Sequence, residues 1–194
     1  ECSMLQAGLM MDRPLLVSSV IEHGAAQFGD VEIVSRDTHG PLFRYSYAQC
    51  AMRSRKLANA LAALGLQAGD VVGSIAWNNH RHMEAYYGVS GSGMVMHTCN
   101  PRLQPQQLIY IINHADDQVV LVDRVLWPLW EKVALLVKVR HVIVMSDGGE
   151  TPPGTIDYEA LLSGTTDGAF AFDDRDERSA AAMCYTSGTT GRPK

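Results

Sequence analysis

No stretch of the 194-residue sequence is apolar for long enough to cross a bilayer as a helix, which takes about 18 consecutive apolar residues. The longest uncharged stretch of interest, Ala85 to Thr98, is broken by Gly88, Ser90, Gly91 and Gly93. Basic excess is also missing. Lys and Arg number 16 against 21 Asp and Glu, a net charge of -5, which leaves no cationic footprint for nucleic acid. Glu1 to Asp12 holds no basic segment followed by an apolar block, so no secretory signal is expected in it. Cysteine is scarce. Cys2, Cys50, Cys99 and Cys184 form no C-x-x-C pair, and Cys50 and Cys184 fall in apolar-patterned segments. Free, buried thiols in a reducing cytoplasm are predicted rather than a disulfide framework. Internal repeats and low-complexity tracts are absent.

What remains has the composition of a globular α/β protein, with 46% hydrophobic and 19% charged residues, enough for one sizeable core. Three amphipathic helices are predicted. Ser19 to Glu22 reads as a capping box, with Ile21, Ala25 and Phe28 then on one face. Ser46 to Gln49 is a second box, followed by Leu57, Leu61 and Leu64 at helical spacing and a stop at Gly65. The third helix carries Pro105 in its first turn and Leu108, Ile111 and Ile112 on its apolar face.

Val31 to Arg36 and Phe43 to Tyr47 flank Thr38-His39-Gly40-Pro41, which predicts an antiparallel hairpin at the edge of the main sheet. Val71 to Ala76, Val119 to Val122 and His141 to Met145 are short, apolar and β-branched, as strands buried on both faces of a parallel sheet are. They alternate with helical segments, including Asp123 to Val137 with Pro128 near its first turn. The pattern predicts a mainly parallel sheet flanked by helices. Asp147 to Gly154 reads as a loop, and the acidic Ser163 to Arg178 as a solvated surface connection.

The chemistry concentrates at the end of the chain. The apolar run Ala180 to Cys184 predicts a strand, and Tyr185-Thr-Ser-Gly-Thr-Thr-Gly-Arg-Pro-Lys194 follows it. Gly188 and Gly191 allow close backbone approach to a ligand. Successive loop N–H groups and the hydroxyls of Thr186, Ser187, Thr189 and Thr190 suit an anion, and Lys194 adds a point charge for a terminal phosphate. A Walker A loop is excluded: counted from Gly188, Pro193 stands where glycine should precede the lysine. An ordinary Gly/Ser/Thr turn accounts for two or three of these residues, not for ten in this order.

Thr186 to Lys194 resembles the signature phosphate loop of the adenylate-forming enzymes, which include acyl-CoA synthetases, luciferases and peptide-synthetase adenylation domains. Ile75 to His82, Tyr86 to Met94, His97 to Leu103 and Tyr110 to Ala115 resemble the branch of medium-chain fatty acid and 3-methylthiopropionate CoA ligases, and the likeness runs from Met4 onward. Cys99 departs from it, where an aliphatic residue is expected; cysteine is itself a small hydrophobe, so little is put in doubt.

The resemblance implies that the 194 residues are the first, incomplete part of the large N-terminal AMP-binding domain. It implies an acid-thiol ligase that makes an acyl-adenylate and pyrophosphate from a carboxylate and ATP, then a thioester with CoA. ATP, Mg²⁺ and CoA are the implied cofactors, and a small carboxylic acid the implied partner; a homodimer stays open. By position, Thr186, Ser187, Gly188, Thr189, Thr190, Gly191 and Lys194 take the ATP phosphates, and Thr186 lies on or near Mg²⁺. Tyr185 is read as the end of the strand. The adenine and acyl pockets, the acidic Mg²⁺ ligand and the small C-terminal domain with its catalytic lysine are expected after Lys194, so no catalytic residue is expected here and the chain alone should be inactive. The alternatives are an aryl-acid or luciferase-like adenylating enzyme, or a structural, dimerising module without nucleotide.

Weaker constellations are set aside. His80, His82 and Glu84 are spaced so that the two histidines point apart at the start of a helix. His82-Met-Glu84 matches H-x-E, but no P-C-x-x-C follows. Asn78 and Asn79 read as a strand-end turn and a helix cap. Met96 breaks G-x-G-x-x-G in Gly88, Gly91 and Gly93, so close packing is the expected reason for these glycines. Trp127 and Trp130 read as core or interface.

Overall fold

The computed structural model describes residues 11, 13–36, 40–146, 150–170 and 176–186. Helix α1 is Val17–Phe28, strands β1 Glu32–Arg36 and β2 Leu42–Ser46 follow, and α2 is Tyr47–Ala63. Then come β3 Val71–Ile75, α3 His80–Ala85 with a π-helical extension Tyr86–Ser90, and β4 Val95–Thr98. Helix α4 is Pro105–Ala115, β5 Asp117–Asp123, α5 Trp127–Trp130 and β6 His141–Met145. The last elements are β7 Ile156–Asp157, α6 Tyr158–Ser163 and β8 Ala182–Met183. Six strands form one parallel sheet in the order β7-β6-β5-β3-β4-β8.

The sheet is buried on both faces, as its β-branched strands require. On one face Val72, Met96, Val119 and Leu121 pack with Leu57 and Leu61 of α2, Val89 of the α3 extension, and Tyr158 and Leu162 of α6. On the other, Ile75, Val120 and Val122 pack with Leu108, Ile111 and Ile112 of α4 and with Trp130 of α5. Ile21 of α1 and Tyr45 of β2 close over the outer side of α2, through Cys50, Ala51 and Ala58.

The second capping box is formed. Ser46 Oγ accepts from Gln49 N at 3.3 Å, and Gln49 Oε1 accepts from Ser46 N at 2.8 Å, an arrangement that stabilises a helix start by about 1 kcal/mol. Gly65, with φ of 87°, ends α2 as read. Pro105 opens α4 and Asn79 caps α3, accepting from His82 N at 3.1 Å. Gly88 packs where a Cβ would stand 2.8 Å from the Ser54 carbonyl oxygen, and one at Gly91 would meet Phe170.

Five readings are corrected. The hairpin is formed, but as a separate two-stranded sheet rather than an edge of the main one; besides the packing of Tyr45, Ser35 Oγ ties it to the core by accepting from His80 N at 2.9 Å. The box at Ser19 lies inside α1, because Ser19 Oγ donates back to Leu16 O at 2.6 Å and the helix begins at Val17; Phe28 is exposed. Asp123 to Val137 is not one helix but a 3₁₀ turn Arg124–Leu126, the single-turn α5 and a second 3₁₀ turn Ala134–Leu136. Pro128 sits in its first turn without an N–H, and Lys132, Val133 and Leu136 close three-residue bonds to Leu129, Trp130 and Val133, the tighter pattern of short helical pieces. The acidic connection is not wholly solvated: Asp167 accepts from Arg55 at 2.8 Å and Phe170 is buried. Cys184 is exposed, while Cys50 and Cys99 are buried and free.

Candidate active site

Strand β3 leads to β4 on one side, and the chain then crosses back to β5 on the other. Ligands of open parallel sheets bind outside the strand carboxyl ends near such a reversal. A cleft of about 380 Å³ lies there, beyond β3, β4 and β8, lined among others by Ser74, Trp77, Asn78, Arg102, Cys184 and Tyr185.

Hydrogen bonds hold the segment that lines the cleft. Asp123, at the end of β5, accepts from Trp77 N at 3.2 Å and from Asn79 Nδ2 at 3.4 Å. His82, which also lines the cleft, places Nε2 3.2 Å from Ser74 Oγ and Nδ1 3.1 Å from Asn78 Oδ1. Burial pushes its pKa down, so the ring is neutral near pH 7. Arg102 stands over the Trp77 ring at 5.3 Å, a cation held at the mouth. A second, more apolar cavity of about 380 Å³ adjoins, sharing Asn78 and His82 and adding Val17, Met83, Tyr86 and Tyr87.

Strand β8 leads to this cleft, which Cys184 and Tyr185 line. It pairs with β4 at Met96↔Ala182 and His97↔Met183, and Ala181 O accepts from Met96 N at 3.0 Å and from Ser90 Oγ at 2.7 Å. Tyr185 and exposed Thr186 then leave at the carboxyl end of the sheet. Ser187, Gly188, Thr189, Thr190, Gly191 and Lys194 lie outside the described residues.

His80 and His82 diverge, as read, and Glu84 points to neither. His80 stacks on Phe43 at 3.8 Å, His82 faces Ser74, and Glu84 accepts from Arg53 and Tyr158, each at 2.8 Å. Sequence reasoning missed another cluster. His97, Cys99 and Asp117 are buried with donor atoms within 4.8 Å of one another. His97 Nδ1 lies 2.8 Å from Asp117 Oδ1, and Cys99 Sγ 3.7 Å from His97 Nε2. Burial, then the Asp117 carboxylate, pushes the Cys99 thiol well up, so it is no thiolate. Burial also pushes the Asp117 carboxyl up, with the His97 bond opposing. The available signal was the two-residue spacing of His97 and Cys99, which places both on one strand face; Asp117 comes from another strand.

Residues 21–194 match the AMP-binding enzyme family. The chain is 45% identical over 192 residues to a 3-methylmercaptopropionyl-CoA ligase of Ruegeria lacuscaerulensis, and equally to a medium-chain-fatty-acid–CoA ligase of Ectopseudomonas oleovorans; each alignment covers 96% of this chain and 35% of the relative. It therefore spans about a third of the length of the curated relatives it matches. A long-chain-fatty-acid-CoA ligase structure from Archaeoglobus fulgidus superposes with a TM-score of 0.81 at 21% identity, over 95% of this chain and 37% of that one, which shows the shared fold. The parallel sheet, the motif leaving β8 and the match over residues 21–194 agree: the chain belongs to the AMP-binding enzyme family.

Proposed function

We propose that these residues are the nucleotide-binding beginning of an ATP-dependent acyl-CoA ligase acting on medium-chain or sulfur-containing carboxylic acids. The observation that carries this is the signature motif leaving β8 beside a cleft at the carboxyl ends of a parallel sheet. The carboxylate oxygen attacks the α-phosphorus of ATP and the bond to pyrophosphate breaks. The CoA thiol then displaces AMP, forming the thioester. Thr186 to Thr190, with Gly191 and Lys194, would bind the β- and γ-phosphates; Lys194 and the loop donors oppose the charge that grows on pyrophosphate as it leaves.

Magnesium is a hard ion that takes oxygen ligands. The exposed Thr186 hydroxyl fits it together with substrate phosphates; the buried His97, Cys99 and Asp117 group does not. The bound ion would neutralise phosphate charge. Among the described residues no helix is long and apolar enough to cross a membrane. The buried free thiols of Cys50 and Cys99 support a reducing compartment, the cytoplasm.

The relatives' names favour an acyl-CoA ligase over a luciferase-like or aryl-acid enzyme. The test uses the full-length protein with ATP, Mg²⁺ and a panel of carboxylic acids. Pyrophosphate release that requires a medium-chain or methylthio acid, with thioester formed on adding CoA, is expected. Release only with aryl acids, or none with any acid, overturns the reading.

A further inference from the structure

We infer that Tyr185 is a positioning residue for the nucleotide loop: its side chain, held by α4 and by the His97–Asp117 pair, fixes the backbone from which Thr186 and the rest of the motif depart. This rests on the adenylation reading above. Strand β8 is only two residues long, and its ladder to β4 ends at Met183. So short a strand fixes poorly the direction in which the chain leaves it.

Tyr185 extends the hold. Its ring lies against His97, centroids 5.2 Å apart at 54°, and its hydroxyl is 2.6 Å from His114 Nδ1. The two partners belong to different elements, and both are secured. His114 sits in the last turn of α4, whose Leu108, Ile111 and Ile112 are buried on the sheet. His97 is clamped by Asp117 at 2.8 Å. The Tyr185 side chain is thus a strut from the sheet to the helix, one residue before the first motif hydroxyl. Burial, then the nearby Asp117 charge, pushes its phenol up. It stays protonated near neutral pH, and it can donate to His114 Nδ1 or accept from it, whichever tautomer the histidine takes.

A loop that stabilises a leaving pyrophosphate acts through placement, and small displacements of such groups cost rate steeply. Tyr185→Phe keeps the ring and removes the hydroxyl. In the full-length enzyme it should raise KM and Kd for ATP about three- to tenfold, the share of one hydrogen bond. KM for the carboxylate and the rate of thioester formation from preformed acyl-adenylate should not change. His114→Ala should do the same, and the double variant should be no worse than the poorer single, because both break one contact. A wild-type ATP affinity in Tyr185→Phe, additive effects of the two substitutions, or an equal fall in the thioester step would overturn the proposal. So would a lowered melting temperature with unchanged ATP binding, the mark of a merely structural contact. If the wild-type enzyme releases no carboxylate-dependent pyrophosphate, the adenylation reading itself fails and takes this proposal with it; a failure of the proposal alone leaves that release intact.

Discussion

His97 of β4 and Asp117 of β5 meet across the strand that separates them, Nδ1 to Oδ1 at 2.8 Å, because the residue between them, Gly73 of β3, has no side chain. The register makes this possible. Val71 pairs with Asp117 and Val72 with Val119, so Gln118 is an extra residue and Asp117 turns to the face of Gly73 and His97. Without that bulge, strict alternation would send Asp117 to the face of Val119 and Leu121.

Gly73→Ala should therefore destabilise the protein. An added Cβ would collide with the Asp117 carboxylate, whose Cγ would be 3.0 Å away, and would crowd Val120 Cγ2 at 3.2 Å. Overpacking of this kind costs about 1 to 3 kcal/mol. Thermal melting of the full-length variant checks it; an unchanged midpoint would mean that the pair can part at no cost.

The same region shows what the sequence discloses and what it hides. Strands β3, β5 and β6 were legible because two-faced burial demands β-branched runs, and the α2 cap because a capping box is purely local. The bulge at Gln118 was not, since register depends on the neighbouring strand. Two-residue β7 carries no period, and the hairpin's separation from the main sheet is decided by tertiary contact. The motif from Thr186 to Lys194 is recognisable in the sequence alone, and its residues after Thr186 lie outside the described ones. The buried His97–Asp117 pair was not legible, because the two are 20 residues apart and only parallel pairing joins them.

Arg53 should prove more costly to remove than its buried partner. It donates to Glu84 Oε1 at 2.8 Å and to both Glu159 oxygens at 2.9 Å, while Glu84 is fully buried with Tyr158 on its other oxygen. Arg53→Ala strands an interior carboxylate, a loss of about 3 to 5 kcal/mol. Glu84→Gln added to Arg53→Ala should recover part of it by neutralising that group. Denaturant unfolding of the single and double variants reads the difference, and no recovery would place the cost in lost packing of the arginine stem.

Glu159 should carry an acid-dependent share of stability. Burial works against its ionised form, but hydrogen bonds from Arg53 and Arg81 outweigh burial and hold its carboxyl below the ordinary glutamate range. A depressed folded pKa means stabilisation present above the unfolded value of about 4.3, and lost as pH falls through the folded value. Wild type should thus out-melt Glu159→Gln near neutral pH, with the gap narrowing below about pH 4. The Glu159 side chain is 39% exposed, so solvent screens the effect and the gap should be modest. A gap that widens in acid would reverse the sign argued here.

On the adenylation proposed above, Thr190→Ala and Lys194→Ala in the full-length protein should each lower kcat for adenylation more than they weaken carboxylate binding. In the ground state ATP is chelated and partly solvated. As the carboxylate attacks the α-phosphorus, negative charge grows on the departing pyrophosphate, and a fixed hydroxyl or ammonium gains most at that moment. Loss of one such donor costs about 10² to 10³ in kcat, by analogy with oxyanion donors. In the proposed reaction pyrophosphate leaves before the CoA thiol attacks, so the thioester step would lack the charge these groups are proposed to oppose. Preformed acyl-adenylate should accordingly restore most of the variants' thioester formation. Were both variants as slow from the preformed adenylate as from ATP, the phosphate role of Thr190 and Lys194 would be lost. The motif would then be a turn that the domain needs in order to fold, and melting of the variants well below wild type would accompany the defect.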